Sequence, residues 1–239
     1  MYLRTILLFI LCIPSLMFAQ QNSSIDFVGG IGSSFRNLKI TSTNTTFLGI
    51  HERREMEETP KANWRLGFHY NRPIANQIHF KTGIRLASFG FKGEKKTDLR
   101  WASCHDGEGG FTPCTGGATE IQFVPNFLFL EVPIMARIAF NDKKWQPYIE
   151  LGIAPALYLT TRTKVITNLD KEVFTTQEGA ANQFQLFGNA ATGINYHLST
   201  SWQFFGQLSF SYQLTPISDA PIKQHLFFYG MELGVRKEI

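Results

Sequence analysis

The sequence predicts an all-β fold: an eight-stranded antiparallel up-and-down transmembrane β-barrel, with short periplasmic turns and long extracellular loops. Three observations predict this fold. Eight segments alternate with a period of two residues, the connections between them tend to alternate between short and long, and aromatic residues gather at both margins of the apolar faces.

The first three segments are IDFVGGIGSSF (25–35), ANWRLGFHYN (62–71) and QIHFKTGIRLASF (77–89). Successive side chains of a strand point to opposite faces, so their period-two alternation predicts strands. The connection after the first segment is long and carries the charge run HERREMEE (51–58), which is typical of a solvated face or a short helix. The connection after the second segment is short, so the second and third strands form a hairpin.

The fourth segment, NFLFLEVPIMARIAF (126–140), is almost entirely apolar, yet it contains Glu131, Pro133 and Arg137. A helix is disfavoured because a proline in its interior would cost about 3 kcal/mol. In a strand, one face is purely apolar and the other carries these three residues. Because a closed barrel has no edge strand to accept a proline, we expect a bulge or a missing ladder hydrogen bond at Pro133.

The remaining four segments alternate in the same way, and they lie at 146–161, 183–198, 201–214 and 225–239. Their connections are long (162–182), short (199–200) and medium (215–224). An even number of strands with short turns at one end and long loops at the other is typical of outer-membrane barrels.

The less apolar face of the strands indicates a packed lumen. In a soluble barrel this face would meet water and be rich in charged and hydroxyl side chains, but here small and apolar residues dominate, with the charges scattered singly. These residues are Gly67, Gly83, Phe89, Phe127, Phe129, Pro133, Gly152, Ala154, Ala156, Phe205 and Gly230. Such a face suits the narrow interior of an eight-stranded barrel, which side chains just fill.

The apolar face carries aromatic residues at both margins and aliphatic residues between them, which predicts the interfacial girdles of a membrane barrel. The girdle at the short-turn end is formed by Tyr70, Phe140, Tyr196 and Trp202, and the girdle at the long-loop end by Trp64, Tyr212, Phe227 and Tyr229. The partner implied is outer-membrane lipid.

Charged residues with inward parity predict a charge network in the lumen, because buried charges are tolerable only when they are paired. For Glu131 we expect Arg85 or Arg65 as partner, and for Arg137 we expect Glu150 or Glu232. The predicted network comprises Asp26, Arg65, Lys81, Arg85, Glu131, Arg137, Glu150, Glu232 and Arg236.

The N-terminal residues 1–19 have the layout of a secretory signal peptide, with Arg4 early, an apolar run and Ala19 at the cleavage position. Residues 20–239 then form one outer-membrane β-barrel domain. The mature chain carries 22 basic and 19 acidic side chains, which is too weak a balance to indicate nucleic acid as a partner. No later stretch approaches the roughly 20 apolar residues of a membrane-spanning helix.

Two cysteines remain after the signal peptide, Cys104 and Cys114. In an exported protein a close, even pair predicts a disulfide, and the alternative is two free thiols in a mobile loop.

The segment FLEVPIMARIAF, a short turn and then WQPYIELGIAPAL resembles the paired strands of the PorT-like outer-membrane β-barrel domain family of Bacteroidetes. The resemblance falls on Leu130, Glu131, Val132 and Pro133, followed by Pro147, Tyr148 and Gly152. It implies an outer-membrane barrel of a Gram-negative bacterium and, for some members, association with secretion or gliding machinery. It implies no catalytic residue. The chain departs from a common outer-membrane pattern because it ends on Ile239 and not on an aromatic residue.

The sequence indicates no catalytic residue, cofactor or metal site. Two serines and three histidines have inward parity: Ser209, Ser211, His69, His79 and His197. The histidines lie toward the short-turn end, whereas Ser211 lies nearer the opposite rim, so a hydrolytic triad is disfavoured. His105, Asp106 and Glu108 could hold a cation, but they lack a recognised ligand spacing.

We therefore predict a non-enzymatic barrel with a plugged, charged lumen. Its long surface loops would bind a partner or support an envelope or secretion complex. The alternatives are a narrow pore and a lipid-modifying barrel enzyme.

Overall fold

The computed structural model describes residues 23–40, 45–97, 99, 104–105, 111–112, 117–141, 143–176, 181–218 and 220–239. The predicted signal peptide, residues 1–19, lies outside the described residues, as do Asp106, Glu108 and Cys114. Of Cys104 and His105 only the backbone is described, in a short strand, so the predicted disulfide stays a prediction.

The described part of the chain is mostly strand. Its elements are β1 (Ser24–Ile40), α1 (Thr45–Glu57), β2 (Glu58–Ala75), β3 (Ile78–Gly93), β4 (Cys104–His105), β5 (Phe111–Thr112), β6 (Ile121–Glu131), β7 (Ile134–Ala139), β8 (Trp145–Thr167), β9 (Lys171–Thr176), β10 (Phe184–His197), β11 (Trp202–Gln213) and β12 (Ile222–Glu238). No described helix has both the length and the apolar composition needed to cross a membrane.

Eight antiparallel strands close into a ring, which confirms the predicted fold class. The order around the ring is β1, β2, β3, β6 with β7, β8, β10, β11 and β12, and β12 pairs with β1 to close it. The pairs β4–β5 and β8–β9 extend the connections at the long-loop end. The charge run at 51–58 lies mostly in α1, which has no buried residue.

Pro133 interrupts the fourth barrel strand between β6 and β7, and the structure decides between the two expected consequences. The register against β3 is the same on both sides of the break, from Arg85 opposite Glu131 to Thr82 opposite Ile134. The proline therefore removes ladder hydrogen bonds without a bulge. The irregularity in this strand lies higher, between Leu128 and Phe129 opposite β8.

The two faces of the strands have the parity that the sequence predicts. In β7 burial alternates strictly, with Met135, Arg137 and Ala139 buried and the residues between them exposed. Across the barrel the exposed side is apolar, and it includes Leu66, Ile84, Val132, Ile134, Leu151, Ile153, Leu208 and Leu233. Exposed or half-buried aromatic rings flank these residues toward both ends of the barrel.

Glycines allow strands to approach closely inside the barrel. A Cβ at Gly83 would lie 2.1 Å from the carbonyl oxygen of Phe68, and one at Gly152 would lie 2.2 Å from that of Ile134. Atoms cannot approach this closely, so both positions admit only glycine without a shift of the backbone.

Candidate functional site in the barrel lumen

The nine charged residues predicted for the lumen are all at least 95% buried, and they come from six of the eight barrel strands. Five are cations and four are carboxylates: Arg65, Lys81, Arg85, Arg137 and Arg236 against Asp26, Glu131, Glu150 and Glu232. They form two clusters, one above the other along the barrel axis.

The lower cluster lies toward the short-turn end. Arg236 donates to both carboxylate oxygens of Asp26, at 2.7 and 2.9 Å. Arg137 donates to Glu150 Oε1, and its Nη2 lies 3.9 Å from Asp26 Oδ2. Lys81 Nζ donates to the two oxygens of Glu150 at 3.2 and 3.0 Å. The guanidinium of Arg137 therefore joins two carboxylates from different strands.

The upper cluster is centred on Arg85. Its Nε donates to Glu131 Oε2 at 2.6 Å, and its Nη2 donates to Asn189 Oδ1 at 3.1 Å. Glu232 lies on the other side of Arg85, with Oε1 3.9 Å from Nη1, and its Oε2 accepts a hydrogen bond from Gln207 at 2.6 Å. The upper cluster is therefore a hydrogen-bond network of charged groups and neutral amides that come from several strands.

The planar guanidinium group of Arg65 lies mainly against aromatic rings. Its guanidinium carbon lies 3.7 Å from the ring centre of Phe228 and 5.0 Å from that of Phe89, while Nη1 lies 3.7 Å from Glu232 Oε1. Among the described residues, none of its three guanidinium nitrogens has a hydrogen-bond partner. A cation between aromatic faces is stabilised by the ring quadrupoles, more strongly when it is desolvated.

The pairs in the structure follow the sequence only in part. Glu131 lies against Arg85 and Arg137 lies against Glu150, in each case the first partner expected. Arg65 and Glu232, expected as second choices for those two residues, lie beside each other. The contribution of Lys81 to Glu150 was not anticipated, although its inward parity is visible in the sequence.

An aromatic layer crosses the lumen above the charges. It consists of Phe89, Phe129, Phe187 and Phe228, which are fully buried and come from β3, β6, β10 and β12. Ring centres lie 4.9 Å apart for Phe89 and Phe187, and 5.5 Å apart for Phe129 and Phe187. Rings from opposite walls of the barrel therefore meet in its centre. Phe187 and Phe228 were not picked out from the sequence, although both have inward parity.

A polar cluster lies beyond this layer, toward the long loops. Asn63 Nδ2 donates to Ser34 Oγ at 2.5 Å, and Ser88 Oγ lies 2.9 Å from the side-chain oxygens of both Asn63 and Asn126, so its single proton is shared between them. Lys61 Nζ donates to Asn126 Oδ1 at 2.5 Å. These residues tie together β1, β2, β3 and β6 at the mouth of the barrel.

The lumen offers paired charges and amides from several strands. The hydroxyl of Ser211 donates to Asn189 Oδ1, and His69 lies opposite Asp26 at the lower end of the barrel. Within the described ranges, no group of three or more His, Cys, Asp or Glu side chains could hold a metal ion. The arrangement is suited to fixing the strands to one another.

Comparison with known proteins gives a family match over most of the chain. A family model described as "Outer membrane protein beta-barrel domain" matches residues 18–219. No curated protein sequence matches.

Among solved structures the chain is similar to the N-terminal β-barrel domain of Pseudomonas aeruginosa OprF, at 11% identity, with 92% of this chain and 100% of that chain covered and a TM-score of 0.39. It is also similar to Neisserial surface protein A, at 11% identity, with 93% and 100% covered and a TM-score of 0.44. A third is the outer membrane protease OmpT from Escherichia coli, at 6% identity, with 94% and 99% covered and a TM-score of 0.43.

Proposed function

The chain belongs to the outer membrane protein beta-barrel domain family and is located in the outer membrane, and from that premise we propose that it is a non-enzymatic barrel with a closed lumen whose extracellular loops bind a partner. Its outward apolar face contacts membrane lipid. The observation that carries the proposal is the aromatic layer of Phe89, Phe129, Phe187 and Phe228.

Closure of the lumen supports a role that does not depend on conduction. A pore needs a continuous wet path, and an eight-stranded barrel has an interior just wide enough for side chains. Here four fully buried rings meet inside the barrel, and paired charges lie below them. Any solute would have to displace both layers.

The long-loop end supports the second half of the proposal. The hairpin of β8 and β9 exposes Leu169, Val173 and Phe174, which are 64%, 61% and 53% exposed at its tip and outer strand. α1 adds Met56, which is 79% exposed. Apolar side chains on loops that project beyond a barrel are candidates for contact with another protein.

The base of these loops is firmly held. Arg36 forms an ion pair with Glu58, its Nη1 donates to Gln224 Oε1 at 2.7 Å, and its guanidinium carbon lies 4.0 Å from the ring centre of Phe91. A rigid base presents the loops in a defined arrangement, which reduces the entropy lost on binding.

Our proposal includes a finer assignment. Leu130, Glu131, Val132 and Pro133 with Pro147, Tyr148 and Gly152 support a PorT-like barrel of Bacteroidetes that serves an envelope or secretion complex. A cleaved signal peptide and a Cys104–Cys114 disulfide belong to the same proposal. Alkylation of the unreduced native protein with a mass-labelled maleimide tests the bond, since labelling of both cysteines would exclude it.

Conductance of the purified protein in a planar bilayer tests the closed lumen. We expect no steady ion current from the unmodified protein, and channels from a Phe89→Ala/Phe187→Ala variant, because two of the central rings are then absent. A Phe204→Ala/Phe210→Ala variant removes two outward rings and is the matched control, which should stay closed. Steady conductance of the unmodified protein would favour the narrow pore.

Photo-crosslinking in native cells tests the loop proposal. A crosslinking residue placed at Phe174 should capture a specific envelope protein, while the same residue at the lipid-facing Ile153 should capture none. Absence of any protein adduct at Phe174 and Met56 would contradict partner binding at the loops. Lipid or peptide turnover that survives reconstitution would favour the enzyme alternative.

A further inference from the structure

The membrane-facing surface carries a groove near the short-turn end. It has a volume of about 650 Å³ and runs across β1, β12, β11 and β10, where Phe27, Phe204, Tyr196 and Leu233 form its walls. Trp145, which directly follows the turn between β7 and β8, lies at its lower end. Since short turns are periplasmic in this family of barrels, the groove faces the inner leaflet of the outer membrane.

Two glycines form the floor of the groove, and internal packing does not explain them. A Cβ at Gly29 would meet Leu66 Cδ1 at 3.7 Å, an ordinary contact, and one at Gly206 would meet only the end of the Leu233 side chain, at 3.2 Å. By contrast, a Cβ at Gly32 would lie 2.3 Å from a backbone carbonyl oxygen. Side chains at Gly29 and Gly206 would project into the groove, so their absence is what keeps it open.

The walls and floor are apolar, which suits an acyl chain. At the periplasmic margin the groove ends at Trp145 and Tyr196, whose ring centres lie 4.5 Å apart. Aromatic rings of this kind sit at headgroup level in membrane proteins. A lipid lying in the groove would therefore have its phosphate beside them.

Two lysines are placed at this margin. Lys144 Nζ lies 5.2 Å from the ring centre of Tyr196 on β10, and Lys237 Nζ lies 5.5 Å from that of Trp202 on β11. Both ammonium groups thus lean over neighbouring strands. The carboxylate next in sequence, Glu238, accepts a hydrogen bond from Gln203 at 2.6 Å, and Gln203 is a buried lumen residue. The local charge on the lipid-facing side is positive.

We propose that this groove binds one anionic phospholipid of the inner leaflet, with an acyl chain along Gly29 and Gly206 and the phosphate between Lys144 and Lys237. The groove selects for a lipid chain by its shape and polarity. The lysines select for net negative charge over a zwitterionic headgroup, and each cationic side chain close to an anionic lipid contributes about fivefold in affinity.

Fluorescence quenching of Trp145 measures occupancy of the groove directly. The full-length barrel with Trp64, Trp101 and Trp202 replaced by Phe keeps Trp145 as its single tryptophan. It is reconstituted into phosphatidylcholine vesicles of two kinds. One contains brominated phosphatidylglycerol and the other contains brominated phosphatidylcholine, and the mole fraction of the brominated lipid is the same in both. We expect brominated phosphatidylglycerol to bind at Trp145 at least about fivefold more strongly than brominated phosphatidylcholine.

Substitutions separate the two parts of the site. Lys144→Gln/Lys237→Gln should bring the ratio of the two lipids to about one, while Lys39→Gln at the long-loop end should leave it unchanged. Gly206→Leu should reduce quenching by both lipids. Gly188→Leu is its control, since Gly188 also faces outward, with only Leu214 nearby, but lies outside the groove.

Equal quenching by the two lipids in the unmodified groove would overturn the proposal, and so would a preference that survives the double lysine substitution. Quenching that falls for both lipids as the protein-to-lipid ratio rises would indicate a second copy of the chain in the groove, which also overturns it. The outcome is independent of whether the lumen conducts or the loops bind a partner.

Discussion

Arg137 lies between Glu150 and Asp26 inside the lumen, at 1% exposure, so its charge is balanced entirely by protein groups. Removing one member of a buried charge pair leaves the other desolvated and unpaired. Each lumen charge is therefore expected to matter to stability far more than a charge in a periplasmic turn.

Arg137→Ala should lower the free energy of unfolding by about 3 to 5 kcal/mol, because Glu150 and Asp26 each lose a cationic neighbour. Lys143→Ala, an exposed lysine in the turn between β7 and β8, should change it by less than about 0.5 kcal/mol. Urea titration of the refolded barrel in lipid vesicles, followed by tryptophan fluorescence, gives both values. Similar effects of the two substitutions would contradict the burial of Arg137.

Arg85 and Glu131 provide a test of pairing. Arg85→Leu and Glu131→Leu should each destabilise the barrel, while the double variant should lose less than the sum of the two, by at least about 1 kcal/mol, since neither charge is then stranded. A double-mutant cycle in the same urea titration measures this coupling. Strict additivity would mean that Arg85 is balanced mainly by Glu232.

At the residue scale, period-two parity indicates which charged side chains point inward but does not choose their partners. It left Arg85 or Arg65 open for Glu131, and Glu150 or Glu232 open for Arg137. In the structure Glu131 lies against Arg85 and Arg137 lies against Glu150, in both cases a residue of an adjacent strand. Contacts across the lumen, such as Arg65 with Phe228 or Lys81 with Phe205, depend on strand tilt and stagger. The alternation of inward and outward residues does not reveal strand tilt or stagger, so these two contacts could not be predicted from the sequence.

At the scale of elements, every barrel strand was predicted from alternation, and the structure lengthens most of them. β8 extends to Thr167 and pairs with β9, well beyond the predicted end at 161, because Lys164, Val165 and Ile166 continue the ladder above the membrane. The residues from Thr161 to Lys164 are all polar, so the alternation that marks this strand in the sequence ends before its ladder does.

Gly83 is the element-scale position where a substitution is expected to be most damaging. Gly83→Val should prevent or strongly slow barrel assembly, because its Cβ would overlap the backbone of β2 at Phe68 and His69. Gly188→Val, at an outward glycine with free space, should fold normally. Refolding yield in vesicles, read from protease resistance, distinguishes the two, and equal yields would exclude the close approach of β2 and β3.

At the scale of the whole molecule, the ring of eight strands leaves no unpaired barrel edge, since β12 pairs with β1 over their full lengths. Closure removes the strand edges at which unfolding or aggregation would begin. Closure was predicted from the even strand count and from the alternating lengths of the connections. The aromatic layer inside the ring was not predicted. Several Phe residues have inward parity, and parity does not show which of them lie at the same level along the barrel axis.

The closed ring should resist detergent. In SDS without heating, the purified protein should remain folded and migrate differently from the boiled sample, because the barrel hydrogen bonds are all internal. Gel mobility before and after boiling is the measurement. Identical migration of the two samples, together with recovery in a soluble periplasmic fraction, would contradict the membrane barrel.

The bond between Asp26 and Arg236 joins residues that are 210 positions apart, on the first and last strands of the ring. Its formation needs nearly the whole polypeptide to have been exported, so the seam between β1 and β12 is among the last contacts available to a chain crossing the periplasm. Long-range pairing of this kind is slow, and the sheet keeps two open edges until it is complete. The Asp26–Arg236 salt bridge therefore forms only when those two edges meet, and it fixes the first strand to the last as the ring closes.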